Sequence, residues 1–212
     1  MRKAFVCMII LALVFFAGDV MGEKYAILIS AGKATRDNEF SNSEYWYDLF
    51  LAYEDLVLKE GFSHDNIFVC YGDGQSFASS IDRYKLSFHG WPDIVDYDNK
   101  KSTIESVFQM VGDISTSNDH IVIRWVVGHG KNNYGGDPSP DRYAAFIENR
   151  GYYITESELI NYVNKITNYK RRLIFWMTCY SGCLKDGNER LDNDKKPCNN
   201  KLQVGYGFLP NI

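Results

Sequence analysis

The stretch HIVIRWVVGHG, residues 120–130, decides how this chain is read. Its first eight residues are apolar at nearly every position and rich in β-branched side chains. They stop on Gly128-His129-Gly130. A short apolar run bounded by glycine reads as a strand covered on both faces, the kind found inside a parallel sheet. Three more stretches share this form. KYAILIS (24–30) runs into Ala31-Gly32, IFVCY (67–71) closes on Gly72-Asp73-Gly74, and LIFWMT (173–178) runs into Cys179.

Helices are expected between these strands. Ser41 and Glu44 have capping-box spacing, and Tyr45, Leu49, Ala52, Tyr53 and Leu56 recur at helical intervals, so a helix is predicted from Ser41 to about Glu60, ended by Gly61. Ser102 and Glu105 repeat the box and predict a helix to about Ser115. Thr155 and Glu158 do so once more, for a helix to about Thr167. Residues 72–101 are polar and aperiodic and read as a long surface loop. Residues 143–147 and 152–154, separated by Asn149-Arg150-Gly151, read as a hairpin, and residues 185–201 as a charged loop. The resulting order is strand, helix, strand, helix, strand, helix, strand. It predicts an α/β fold with a mostly parallel sheet and helices on both faces.

The first residues set the expected compartment. Arg2 and Lys3 precede an apolar run from Ala4 to Ala17, and Val20-Met21-Gly22 supplies a small residue before a cut. That pattern predicts a secretory signal peptide over residues 1–22, with a single domain over 23–212. The run is shorter than the ~20 apolar residues a spanning helix needs, so no stable membrane span is expected after cleavage. The expected location is extracellular, periplasmic or in an endomembrane lumen. The net charge is -4 with no dense basic stretch, which argues against a nucleic-acid partner. Cys7 falls within the leader, leaving Cys70, Cys179, Cys183 and Cys198. Cys179 with Cys183, or Cys183 with Cys198, could pair in an oxidising compartment.

His129 and Cys179 each end a predicted sheet strand, and ligands bind open parallel sheets beyond the carboxyl ends of their strands. A thiol becomes a strong nucleophile once a base removes its proton, and an imidazole can take that proton and later deliver it to a leaving group. Gly128, Gly130 and the Ser181-Gly182 pair allow close backbone approach, and the N–H groups of Gly130 and Cys179 could face a developing oxyanion. His64, His89 and His120 lack such surroundings and read as surface residues. A Cys179–Cys183–His129 zinc site would lack the usual paired ligand spacing, so no metal or other cofactor is expected. Asp73, Asp93, Asp96 and Asp98 make an acidic loop that reads as solvated rather than as a calcium site.

Gly128-His129-Gly130 followed by Thr178-Cys179-Tyr180-Ser181-Gly182 resembles the His-Gly and Cys blocks of caspase-fold cysteine peptidases. Residues 42–48 with Ala52-Tyr53, and residues 66–74, narrow the resemblance to the legumain family, which includes the GPI-anchor transamidase catalytic subunit. The resemblance implies a three-layer fold, a thiol endopeptidase acting on protein or peptide substrates through an acyl-enzyme, His129 as general base and Cys179 as nucleophile. It also implies Gly130 N–H in the oxyanion hole and Asn42 orienting the imidazole. Glu44 and Tyr180 stand where legumain has a pocket arginine and a glutamate, which points to a basic or amide side chain before the cleaved bond. Gly128 stands where legumain has aspartate. The fold adds two strands after the cysteine block, and Val204 to Leu209 could form one, so the domain is expected to be shortened there. The alternative is a non-catalytic binding domain on the same scaffold.

Overall fold

The computed structural model describes residues 22–32, 43–131, 143–147, 151–178 and 205–207. Strands β1 (Lys24–Ser30), β2 (Ile67–Tyr71), β3 (His120–Lys131) and β6 (Arg171–Thr178) form a parallel sheet in the order β2-β1-β3-β6. A hairpin of β4 (Tyr143–Ile147) and β5 (Tyr152–Thr155) pairs antiparallel with the far end of β3, and β7 (Gly205–Gly207) pairs antiparallel with β6. Helices α1 (Ser43–Leu58), α2 (Leu86–His89), α3 (Lys101–Ile114) and α4 (Glu156–Val163), with two short 3-10 turns at His64–Asn66 and Asp82–Tyr84, complete the described elements.

Strand order and crossover hand place the helices. The step from β1 to β2 and the step from β2 to β3 run in opposite directions across the sheet. Right-handed crossovers therefore put α1 on one face and α3 on the other. The step from β3 to β6 continues in the second direction and sends α4 to the α3 side, where Lys165 pairs with Glu105 at 3.1 Å. Burial agrees: Ala26 through Ser30 are buried without a break, so β1 is covered on both faces.

The expected elements recur with adjusted ends. The Thr155–Glu158 capping box forms with both of its hydrogen bonds. Arg172 closes the same unit: its Nη1 donates to Val163 O at 2.9 Å and Ile166 O at 3.0 Å, and its guanidinium stacks 4.5 Å from the Tyr169 ring centroid. These bonds satisfy carbonyls freed where α4 ends, at Val163 rather than near Thr167. The Ser102–Glu105 box does not form. Lys100 is the N-cap of α3 without a side-chain cap, and Asp98 accepts from Lys100 N at 3.2 Å instead. Ser41, expected to cap α1, lies outside the described residues. The predicted strand at 204–209 is represented by β7.

Residues 72–101 are not the open loop that their polarity predicts. Phe77, Ile94, Val95 and Asn99 are buried, and Tyr97 bridges to Cys70 in parallel while Asp98 bridges to Asp73. The segment caps the free edge of β2. Its apolar residues are too sparse for a periodic signal, but each seals exposed sheet. The same packing corrects the surface reading of His64 and His89. His64 Nδ1 lies 2.7 Å from Tyr53 Oη, and His89 Nε2 lies 2.9 Å from Glu54 Oε1. His89 also stacks 4.1 Å from Trp91, whose ring His64 meets edge-on. Both histidines are structural members of an aromatic cluster outside α1.

Candidate active site

The carboxyl rim of the sheet is assembled from the ends of β1, β2, β3 and β6. Parallel pairing sets Gly128 of β3 beside Thr178 of β6. His129 is the residue after Gly128, and Cys179 is the residue after Thr178. His129 is exposed, and its backbone is paired with Phe146 of β4. This corrects the expectation that β3 stops at Val127. The strand continues through Gly128-His129-Gly130 to Lys131 because β4 supplies hydrogen-bond partners that a local reading cannot anticipate. Gly130 therefore sits in strand rather than in a loop. Asn42, Cys179 and Tyr180 lie outside the described residues.

Helix α1 reaches the rim with its N-terminus. Ser30 Oγ donates to Tyr45 O at 3.2 Å, which fixes the first turn of the helix over the end of β1. Gly32 is required at that junction, since a Cβ there would lie 2.5 Å from Tyr45 Cβ. Glu44 is exposed in this first turn. One turn on, burial lifts the Asp48 carboxyl above its ordinary range. The Arg124 guanidinium of β3 opposes that rise, and the Glu44 charge adds to it. Glu44, Asp48 and Arg124 thus form a mixed-charge wall on the α1 face of the sheet.

Two residues near the rim escaped sequence reasoning. Asn99 is fully buried, and its Nδ2 donates to Ser30 O at 3.1 Å and Gly32 O at 3.4 Å, holding the end of β1. Nothing marked it within a polar tract. Arg124 carried a visible signal, a cation inside an apolar strand, because charges are almost never buried without a partner.

The acidic residues near β2 are each engaged by nearby donors. Asp93 accepts from Ser76 Oγ and from Val95 N, Asp96 from Val69 N at 2.9 Å, and Asp98 from Lys100. Burial works to raise Asp98, but hydrogen bonds from Lys100 and Thr103 carry its carboxyl below the ordinary range. Among the described residues no three His, Cys, Asp or Glu side chains gather as a metal site.

Cys70 is free and fully buried in β2. Burial first, then the Asp96 and Asp98 carboxylates, push its thiol far above the ordinary cysteine range. Alkylation of the native protein at pH 8 should therefore leave Cys70 unmodified until denaturant is added. Mass mapping checks this, and modification in folded protein at the rate of a free thiol would contradict the burial.

A scan against known protein-family models and a search of curated proteins both returned no match for this sequence. No helix among the described residues is long and apolar enough to cross a membrane.

Proposed function

We propose that this chain is an exported cysteine endopeptidase of the legumain-like, caspase-fold kind. The observation that supports it is the pairing of Gly128 with Thr178 at the carboxyl rim. Those two residues are bonded directly to His129 and Cys179. Each candidate residue thus follows, by one position in the sequence, a member of a directly paired couple at the rim. That two positions fifty residues apart in the chain both follow this paired couple supports reading them as a dyad.

In this reading the His129 imidazole takes the Cys179 thiol proton. The sulfur attacks the substrate carbonyl, and a C–S bond forms as the oxyanion accepts from the N–H groups of Gly130 and Cys179. The imidazolium returns its proton to the departing amine as the C–N bond breaks. Water, deprotonated by His129, then cleaves the thioester; an amine in its place would give transpeptidation. Asn42, just before α1, would hold the second imidazole nitrogen. Glu44 and Tyr180 would contact the side chain before the cleaved bond, and the Glu44 carboxylate would favour a basic or amide group there.

The test is labelling of the mature protein by a peptidyl electrophile in wild type, Cys179→Ala and His129→Ala. Labelling should map to Cys179, vanish in the first variant and fall at least tenfold in the second, since a positioned base is commonly worth about 10²–10⁴. Electrophiles bearing Arg, Lys or Asn beside the warhead read the pocket, and a clear Asn preference would remove the role given to Glu44. Labelling indifferent to His129 would leave the scaffold as a binding domain.

A further inference from the structure

Strand β3 carries one residue more than either of its neighbours. Against β1, Ile29 pairs with Trp125 and Ser30 with Val127, so β3 advances two residues while β1 advances one. Against β6, Trp125 pairs with Trp176 and Gly128 with Thr178, so β3 advances three while β6 advances two. Both edges place the same single-residue bulge at Val126–Val127.

An extra residue reverses the alternation of side chains beyond it. In a regular strand, Gly128 would face away from Trp125 and His129 would face with it. The observed packing is the opposite. A Cβ on Gly128 would lie 2.7 Å from Trp125 Nε1 and 2.9 Å from Ala31 Cβ. Ala31 stands two residues beyond Ile29, the register partner of Trp125, so Gly128 points to the Trp125 face. His129 therefore turns to the other face, the one bearing Arg124 and covered by α1. Thr178, paired with Gly128, stands two residues beyond Trp176 on the Trp125 face. With no bulge, Val127 would stand beside Thr178, and His129 would fall one position out of step and on the Trp125 face.

We infer that the bulge at Val126–Val127, with the Trp125 indole wedged under Gly128, is the positioning device that turns His129 to the α1-covered face of the sheet, the face that bears Arg124, for its role as base. Trp125 and Gly128 are positioning residues that act through His129. Two observations independent of register support this. The indole is fully buried, yet Nε1 has no hydrogen-bond partner among the described residues, so it is held by shape rather than by a bond. It also packs against Trp176 at 4.9 Å, beside the chain leading to Thr178, which ties the wedge to both strands of the proposed dyad.

This inference rests on the dyad reading above, and the experiment separates the two. Rate constants for alkylation of Cys179 are measured in the mature protein for wild type, His129→Ala, Gly128→Ala, Gly128→Ala/Trp125→Phe and Gly128→Ala/His129→Ala, with circular dichroism as the check on folding. Gly128→Ala should lose at least tenfold. Trp125→Phe, which removes the crowding indole nitrogen but leaves the 2.9 Å approach to Ala31 Cβ, should restore part of that loss. Gly128→Ala should cost nothing further once His129 is gone. Trp125→Phe alone, which crowds nothing, should lower the His129-dependent rate several-fold and covers a Gly128→Ala that fails to fold. Full His129-dependent labelling in Gly128→Ala, or in Trp125→Phe where that is the variant that folds, overturns the inference and leaves the dyad standing. So does an equal loss in the His129→Ala background. A wild-type rate indifferent to His129 overturns both.

Discussion

Asp119→Ala is expected to destabilise the protein by about 2–3 kcal/mol, because it removes two part-buried hydrogen bonds to a charged acceptor, each worth about 1.5–3 kcal/mol before allowing for water reaching the freed donors. Asp119 is itself buried and stands where the amino ends of β1, β3 and β6 converge. Its Oδ1 accepts from Glu23 N and its Oδ2 from Thr116 N, both at 2.7 Å. Its own carbonyl accepts from Lys170 N at 2.7 Å, and the next residue, His120, donates to Glu23 O at 2.9 Å. One carboxylate thus joins the start of β1 to the turn entering β3, while the backbone beside it receives the segment entering β6. Bonds to a charged acceptor are stronger than neutral ones, which favours the upper part of the range. Urea unfolding of the wild type and the variant measures the difference. A change below about 1 kcal/mol would mean that the two bonds to the buried Asp119 carboxylate are replaced by water at no cost.

Gly112→Ala is expected to destabilise although it replaces a poor helix former with the best one. In an exposed helix interior this change gains about 1 kcal/mol. In α3 a Cβ at this position would lie 2.2 Å from Lys165 O and 2.9 Å from Lys165 C. Both are backbone atoms of the turn after α4, which cannot rotate away, so α3 would have to move off the turn. Such overpacking costs about 1–3 kcal/mol, and here more because no flexible side chain can yield. The net loss should be about 2 kcal/mol, or roughly 4–8 °C in Tm for a domain of this size. Differential scanning calorimetry decides the sign. A raised Tm would show that α3 is not in close contact with that turn.

The parallel strands and helices α1, α3 and α4 were legible because their patterns are local. KYAILIS declares a buried strand and IFVCY and LIFWMT declare strands by composition alone, although β6 is only partly covered, and Thr155 with Glu158 declares a helix start that forms as expected. Segment 72–101 was not legible. Its few apolar residues, among them Phe77, Ile94 and Val95, gain their meaning from the edge of β2 that they cover, and that edge is distant in sequence. The Ser102–Glu105 box failed for a related reason: Asp98, held by the bridge to Asp73, already meets a donor at the start of α3.

By itself the sequence determined the α/β class, the strand order along the chain and the two candidate reactive residues at strand ends, since apolar runs and glycine punctuation are properties of neighbouring residues. Only the tertiary structure decided which strands lie side by side and which way each rim residue faces. Register is a relation between strands: the bulge at Val126–Val127 exists only by comparison with β1 and β6, and it reverses every side chain beyond it. The sequence therefore nominated His129, while the pairing of Gly128 with Thr178 and the Trp125 indole beneath Gly128 decide the face to which the residue before it turns.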